Sequence, residues 1–516
     1  MSLYTEQDNL LLIEKVEDIM KNADQLSGTL VEPTKDKMWE IVYTVRDFVI
    51  EKKRKIYGGF ALNKLIENRN PKDAFYADDN VKDWDIDFYS PDPINDAKEI
   101  ADRLRKKGFE HVVAREAQHD ETYKVFAETL DCADISYVPS NIYRNMPFNE
   151  VNGLCLTGPH FMMIDYFRIL TDPLTSYFRL EKTFTRLCLM LKYFPLPTST
   201  SSITIIPPNN EMDVAFRTVN EFLIDRSTTV TVGMYAYNHL IKESGIINQV
   251  KNQDKLKRQA KTNKTSKNDK SVNINYVDIN YYEIISTNYV QDVKDLINKL
   301  YDKVHSKERI TYVENYPFLQ YLGYSVDIYF DDEIICKIYH YNRRCTPFFD
   351  VPSLYFKNDK YEKMDGKIRI GTVAVQMMYN LINIMKARSA RDDETKDIYY
   401  TMISHIIQMK DYFFSKNNKT IFDDTLFKEF VLNCVGKTTT PQMEKAERME
   451  KKKKAGKKYM WNYNPENDKD KENVTKYFFK NSSGNRINNP KNYKIDMSVA
   501  SIGDVDDIND EIDDDI

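Results

Sequence analysis

Long apolar runs are missing from this 516-residue chain: no stretch of 18 consecutive apolar residues occurs, which argues against a membrane-spanning helix. The opening Met1-Ser2-Leu3-Tyr4-Thr5-Glu6-Gln7-Asp8 has neither the basic nor the apolar region of a secretory leader, so a secreted protein is not expected. Cysteine is scarce. The six, at 132, 155, 188, 336, 345 and 434, include no Cys-x-x-Cys pair, which disfavours structural zinc and predicts a reduced, intracellular chain. A strong excess of one charge is also lacking, since the formal net charge is −5, so any grip on a polyanion must come from local basic patches. The length allows two or three domains with substantial cores.

What is present begins with Tyr57-Gly58-Gly59-Phe60-Ala61-Leu62-Asn63, followed by Trp84-Asp85-Ile86-Asp87-Phe88. Two glycines at the start of a helix let the backbone approach phosphate oxygens, and the helix N-terminus adds free N–H groups and a positive dipole end. Gly58 and Gly59 therefore read as a triphosphate seat. In the strand that follows, Asp85 and Asp87 project to one face while Trp84, Ile86 and Phe88 pack behind them. Paired hard oxygen ligands suit magnesium or manganese. Asp83 shares their face but follows Lys82, and reads as strand-edge polarity. In-line attack at phosphorus calls for a third carboxylate on a neighbouring strand. Asp134, in the β-prone run 131–138, fills that role; Asp131 competes, but simple alternation puts it on the opposite face.

Together these residues resemble the polymerase-β-like nucleotidyl transferase superfamily, over roughly residues 40 to 190. The Tyr-Gly-Gly-Phe-Ala-Leu-Asn wording is similar to that of the catalytic poly(A) polymerases of poxviruses and giant cytoplasmic DNA viruses. The resemblance implies addition of adenylates from ATP to an RNA 3′ end with two divalent ions held by Asp85, Asp87 and Asp134. It also implies an intracellular, cytoplasmic setting, a viral factory or virion if the source is viral. Phe60 stands where many members of the superfamily carry serine, which removes one hydroxyl contact to phosphate. The carboxylates contact phosphate and do not read the base, so a uridylyl or CCA-adding enzyme remains open at this point. A non-catalytic RNA-binding subunit on the same scaffold is the rival from another class.

The chain also resembles itself. Thr44–Lys52 recurs as Thr218–Arg226 with four identities in nine, and Gly58–Ile66 as Gly233–Ile241 with five in nine. Ile94–Leu104 then aligns with Val290–Leu300. That offset puts Tyr281 at the position of Asp85 and Glu283 at that of Asp87, and Lys337 falls where Asp134 would be. The second copy therefore reads as a nucleotidyl-transferase-like domain without a metal site.

The expected architecture is α+β: an N-terminal helical lead over 1–35, a catalytic domain with its helical segment over 36–200, a degenerate repeat over 205–435, and a basic then acidic tail over 436–516. Between the copies, 160–193 predicts two helices broken at Asp172-Pro173. The second carries Arg179, Lys182 and Arg186 on one face, with Lys182 and Arg186 as phosphate contacts. Residues 251–270 and 445–458 each hold eight Lys or Arg and read as tethers that grip RNA phosphates weakly. Residues 503–516 form an acidic tail. A homodimer through the second domain is expected, with Tyr321, Tyr324, Tyr329, Tyr339 and Tyr341 as candidate interface aromatics.

Overall fold

The computed structural model describes residues 3–30, 33–77, 79–81, 84–128, 130–199, 201–205, 209–247, 274–304, 307–341, 343–454 and 461–467. Asp83, the basic segment 251–270, residues 455–458 and the acidic tail lie outside them.

The chain forms two compact units. The first contains the described residues up to Val138, then Phe148–Thr157, and the described residues from Pro441 on. The second contains Pro139–Pro147 and Gly158–Thr440. The helices expected to close the first domain, over 158–193, thus group with the second unit.

The first unit contributes β1 (Lys55–Tyr57), β2 (Ile86–Ser90), β3 (Val113–Glu116), β4 (Thr122–Ala127), β5 (Leu130–Tyr137), β6 (Phe148–Val151) and β7 (Leu154–Thr157). The second contributes β8 (Thr229–Val232), β9 (Tyr282–Ser286), β10 (Ile310–Asn315), β11 (Ser325–Phe330), β12 (Glu333–His340), β13 (Thr346–Lys357), β14 (Lys360–Gly371) and β15 (Cys434–Val435). A last strand, β16 (Asn462–Tyr463), belongs to the first unit. The first sheet runs β16-β3-β4-β5-β2-β1-β7-β6 and the second β10-β11-β12-β9-β8-β14-β13-β15. Seven consecutive positions match in order and in the sense of every pairing: β2–β5 and β9–β12 are parallel, as are β1–β7 and β8–β14, and the other four pairings in each are antiparallel.

The repeat extends to single side chains. Helix Lys35–Glu51 buries Ile41, Val45, Phe48 and Val49, because apolar residues at three- and four-residue spacing form one face. On it Thr44 donates to the Glu40 carbonyl at 2.7 Å, as Thr218 does to that of Val214. Asn63 accepts from the backbone N–H groups of Phe75 and Tyr76, and Asn238 from that of Val277. Arg54 clasps Asp96 and Arg226 clasps Asp292, pinning the helix after each second strand. These pairs show part of why the three sequence blocks repeat: among the identities, Thr44 closes a bond within its helix, and Asn63 and Asp96 hold neighbouring segments together, each with a counterpart in the second unit.

Two expectations are corrected here. Cys345 and Cys434 form a disulfide, with Cα atoms 5.4 Å apart, so the chain is not all thiol. They lie 89 residues apart, and antiparallel pairing of β13 with β15 brings them together, a proximity that cysteine spacing does not show. The basic run expected as a tether is a helix over Pro441–Lys454, where Lys452 pairs with Glu116 at 3.2 Å. Beyond it, β16 extends the first sheet by pairing with β3 and buries Trp461 and Tyr463.

Candidate active site

The site lies on β2 and β5 beside the start of helix Gly58–Glu67. β1 ends at Tyr57, whose ring stacks on Tyr89 and whose hydroxyl lies 2.9 Å from Ser136 Oγ, locking β1 to the strands across the sheet. The chain then turns at Gly58, with φ at +77°, and a Cβ there would sit 2.9 Å from Asp87 Oδ2. Both facts require glycine. The close approach that forces it is to the carboxylate, a cause sequence reasoning did not identify. No side chain caps the helix start at Tyr57, so the first-turn N–H groups are not claimed by a capping side chain.

β2 runs parallel to β5 with Asp87 opposite Asp134. Asp85, just before β2, is exposed; Asp87 keeps only part of its side chain at the surface. The three charges act on one another. Burial, then the negative charge of Asp85 and then that of Asp134, raise the proton affinity of Asp87 well above the usual carboxylate range. Asp134 is pushed up to about 6, again mainly by burial, against the opposing pull of Lys124.

Lys124 is the participant that sequence reasoning missed. It lies opposite Asp134 in the β4–β5 register, with Nζ 2.8 Å from Asp134 Oδ1 and 2.5 Å from Asp131 Oδ2. Hydrogen bonds to the two carboxylates raise its proton affinity despite burial, which works the other way. Its signal was a lone cation within the apolar-rich run Thr122–Ala127. Asp131 reaches this face because β5 shifts register at Val125/Phe126, with Cys132 as the extra residue. The expectation that Asp131 faces away from Asp134 is therefore wrong, because the bulge cancels the alternation.

Among the described residues, no three histidine, cysteine or carboxylate groups close around a common point as they stand. By chemistry the donor set nevertheless suits a hard cation: several carboxylates crowd together, and their proton affinities are raised by one another's charge. Lys124 supplies the neutralising charge on Asp134. Lys182 and Arg186 lie on helix Leu180–Tyr193 of the second unit.

In the second copy Glu283 faces Lys337 in the β9–β12 register, and Asp327 faces Lys337 in that of β11–β12. The same bulge recurs at Ile328/Tyr329. The cation and the acid of the Lys124–Asp134 rung have thus exchanged strands. Glu283 accepts from Tyr339 at 2.7 Å, Asn383 at 2.7 Å and Tyr399 at 2.9 Å. The N–H of Gly233 donates to Gln376 Oε1 at 3.0 Å. Both the carboxylate and the helix start are consumed by the chain's own side chains. Tyr339 and Tyr321 are buried, which removes them from the expected interface set.

Comparison with known proteins agrees with this geometry. Residues 43–176 match the family model described as "Poly(A) polymerase catalytic subunit", and 224–497 match a model of the C-terminal region of the mimivirus poly(A) polymerase catalytic subunit. A protein of Acanthamoeba polyphaga mimivirus carrying that name is 33% identical over 96% of this chain and 85% of its own length. This chain belongs to the poly(A) polymerase catalytic subunit family. It is accordingly a polyadenylyltransferase that acts without a template. An African swine fever virus relative matches more narrowly, at 31% identity over 30% of this chain and 33% of its own. The crystal structure of the Megavirus polyadenylate synthase superposes with a TM-score of 0.76 at 31% identity, covering 96% of this chain and 94% of that one. The family closes the choices left open by the carboxylates, between adenylate and other tails and between enzyme and non-catalytic subunit.

Proposed function

We propose that the first unit transfers adenylate from ATP to an RNA 3′ hydroxyl at Asp85, Asp87 and Asp134. The observation that carries this reading is the mutual charge of the three carboxylates at one edge of β2 and β5, beside a helix start with no side-chain cap. Asp85 and Asp87 would hold two divalent ions, magnesium or manganese, with Asp134 joining one of them. Bound there, such ions would neutralise charge on the attacking and leaving oxygens. The chain's own groups do the rest. Gly58 and Gly59 present backbone N–H groups to the triphosphate, and Lys182 and Arg186 contact phosphate. Asp134, whose carboxyl is pushed up to about 6, takes or helps take the proton of the 3′ hydroxyl while Lys124 steadies its charge. Pyrophosphate leaves.

No described helix is long and apolar enough to cross a membrane. The proposed setting is cytoplasmic tailing of viral mRNA. Self-association through the second unit completes the proposal, with Tyr324, Tyr329 and Tyr341 left half-buried to supply a surface. The deciding experiment incubates the purified chain and a labelled RNA primer with each nucleoside triphosphate separately: extension with ATP and not with the others is expected, and no extension, or equal use of UTP or CTP, would overturn the reading.

A further inference from the structure

Three charged side chains meet on one face of β4 and β5. Lys124 Nζ donates to Asp131 Oδ2 at 2.5 Å and lies 2.8 Å from Asp134 Oδ1. Lys124 and Asp131 keep 30% and 39% of their side chains exposed, and an ion pair so open to water adds little to stability. The need for a stable fold therefore does not account for Asp131.

The second copy supplies a control. It keeps the acid–lysine rung with its ends exchanged, Asp327 opposite Lys337, and it keeps the bulge, with Ile335 as the extra residue where the first copy has Cys132. Past the bulge the copies part: Asp131 stands opposite Phe126, whereas Ile334 stands opposite Tyr329. The rung and the bulge thus belong to the fold of both copies. The acid beside the bulge accompanies only the copy that carries Asp85, Asp87 and Asp134.

Lys124 is an obstacle to a cation as well as a counter-charge. A divalent ion approaching Asp134 meets an ammonium that already touches the same carboxylate. Were Asp134 the sole partner of that lysine, binding the ion would leave the ammonium without a counter-charge. Asp131 removes this penalty, because the ammonium is within hydrogen-bond reach of it from the start and needs no large movement to stay paired.

We propose that Asp131 is a positioning residue for the metal site: it takes Lys124 over from Asp134 when a divalent cation binds, so that the lysine balances Asp134 between rounds of binding without barring the ion. The role rests on Asp85, Asp87 and Asp134 holding the ions, and it falls to a residue that touches neither ion nor substrate.

The test measures manganese binding to the full chain without RNA or ATP, by the loss of the free-ion signal in electron paramagnetic resonance. Asp131→Asn is expected to raise the apparent dissociation constant roughly 3- to 10-fold. In a Lys124→Met background the same asparagine change should shift the constant by less than about twofold, since the ammonium that Asp131 takes up is gone. An equal penalty with and without Lys124 would overturn the proposal, because Asp131 would then act on the ion directly. So would the absence of any penalty in Asp131→Asn, a variant that should melt close to the wild type without metal because the pair it breaks is exposed. Failure of the three-carboxylate site itself looks different: the wild type and Asp87→Asn would bind manganese alike, which removes the site and this role with it.

Discussion

Asp87 carries the sharpest expectation at the scale of single residues. Its carboxylate is crowded by burial and by two like charges, so Asp87→Asn removes repulsion at the same time as it removes a metal ligand. The variant is expected to melt no lower than the wild type while primer extension falls by roughly a thousandfold or more. A drop in melting temperature accompanying the loss would point to a structural role instead. Asp134 adds a pH dependence. Its folded value of about 6 lies above its ordinary value, so in the absence of a cation its contribution to stability is full below pH ~4 and is lost as pH rises through about 6. Cations compete with that proton. The rise in melting temperature produced by magnesium or manganese should therefore be larger at pH 7.5 than at pH 5, and a rise equal at both would remove Asp134 from the metal site. The turn at Gly58 and the strand bearing Asp87 could be read from the sequence because each belongs to a short local pattern, and the strand of Asp134 from its β-prone run. Lys124 and the bulge at Cys132 could not, because they depend on which strand lies beside which.

At the scale of elements, the second sheet tests whether the repeat is only architectural. Glu283 accepts three buried hydrogen bonds, and Glu283→Gln would turn an amide donor toward groups that already donate. The expected cost is about 1–3 kcal/mol of stability, measured by denaturant unfolding, with the rate of single-nucleotide addition unchanged. Loss of that addition in a folded variant would make the second copy part of the catalytic apparatus. The C-terminal strand offers a second test. Trp461 is 4% exposed and packs edge-on against Tyr123, so Trp461→Ala should cost roughly 3–5 kcal/mol although it lies more than 300 residues from the strands it covers. Unfolding at wild-type denaturant concentration would show that β16 is dispensable. Nothing in the sequence around 461–467 announced a strand, since two residues give no alternation to read. The duplication, in contrast, was visible in local blocks, whose identities include the bonded residues Thr44, Asn63 and Asp96 with their counterparts.

For the whole molecule, the fold class and the position of the second copy were accessible from self-comparison, and the register of β9 with β12 places Glu283 opposite Lys337, the residues matched to Asp87 and Asp134. The disulfide was not accessible, since its partners are joined only by the pairing of β13 with β15. Self-association is the expectation that belongs to this scale. Sedimentation velocity at micromolar concentration should give a dimer, and a monomer that makes long tails unaided would remove it.

The exchanged rung also limits which single substitutions either copy tolerates. In the first copy Lys124 faces Asp134; in the second Asp327 faces Lys337. Starting from either arrangement, changing one member alone sets like charges opposite one another, two lysines or two aspartates, and like charges directly across a strand pair are destabilising. Restoring Lys337 to aspartate would place it across from Asp327 and beside Glu283, three acids with no facing lysine. A single substitution that brings an acid to position 337 is thus opposed by two carboxylates at once, so an acidic pair like that of the first copy would need at least one compensating change on the facing strands.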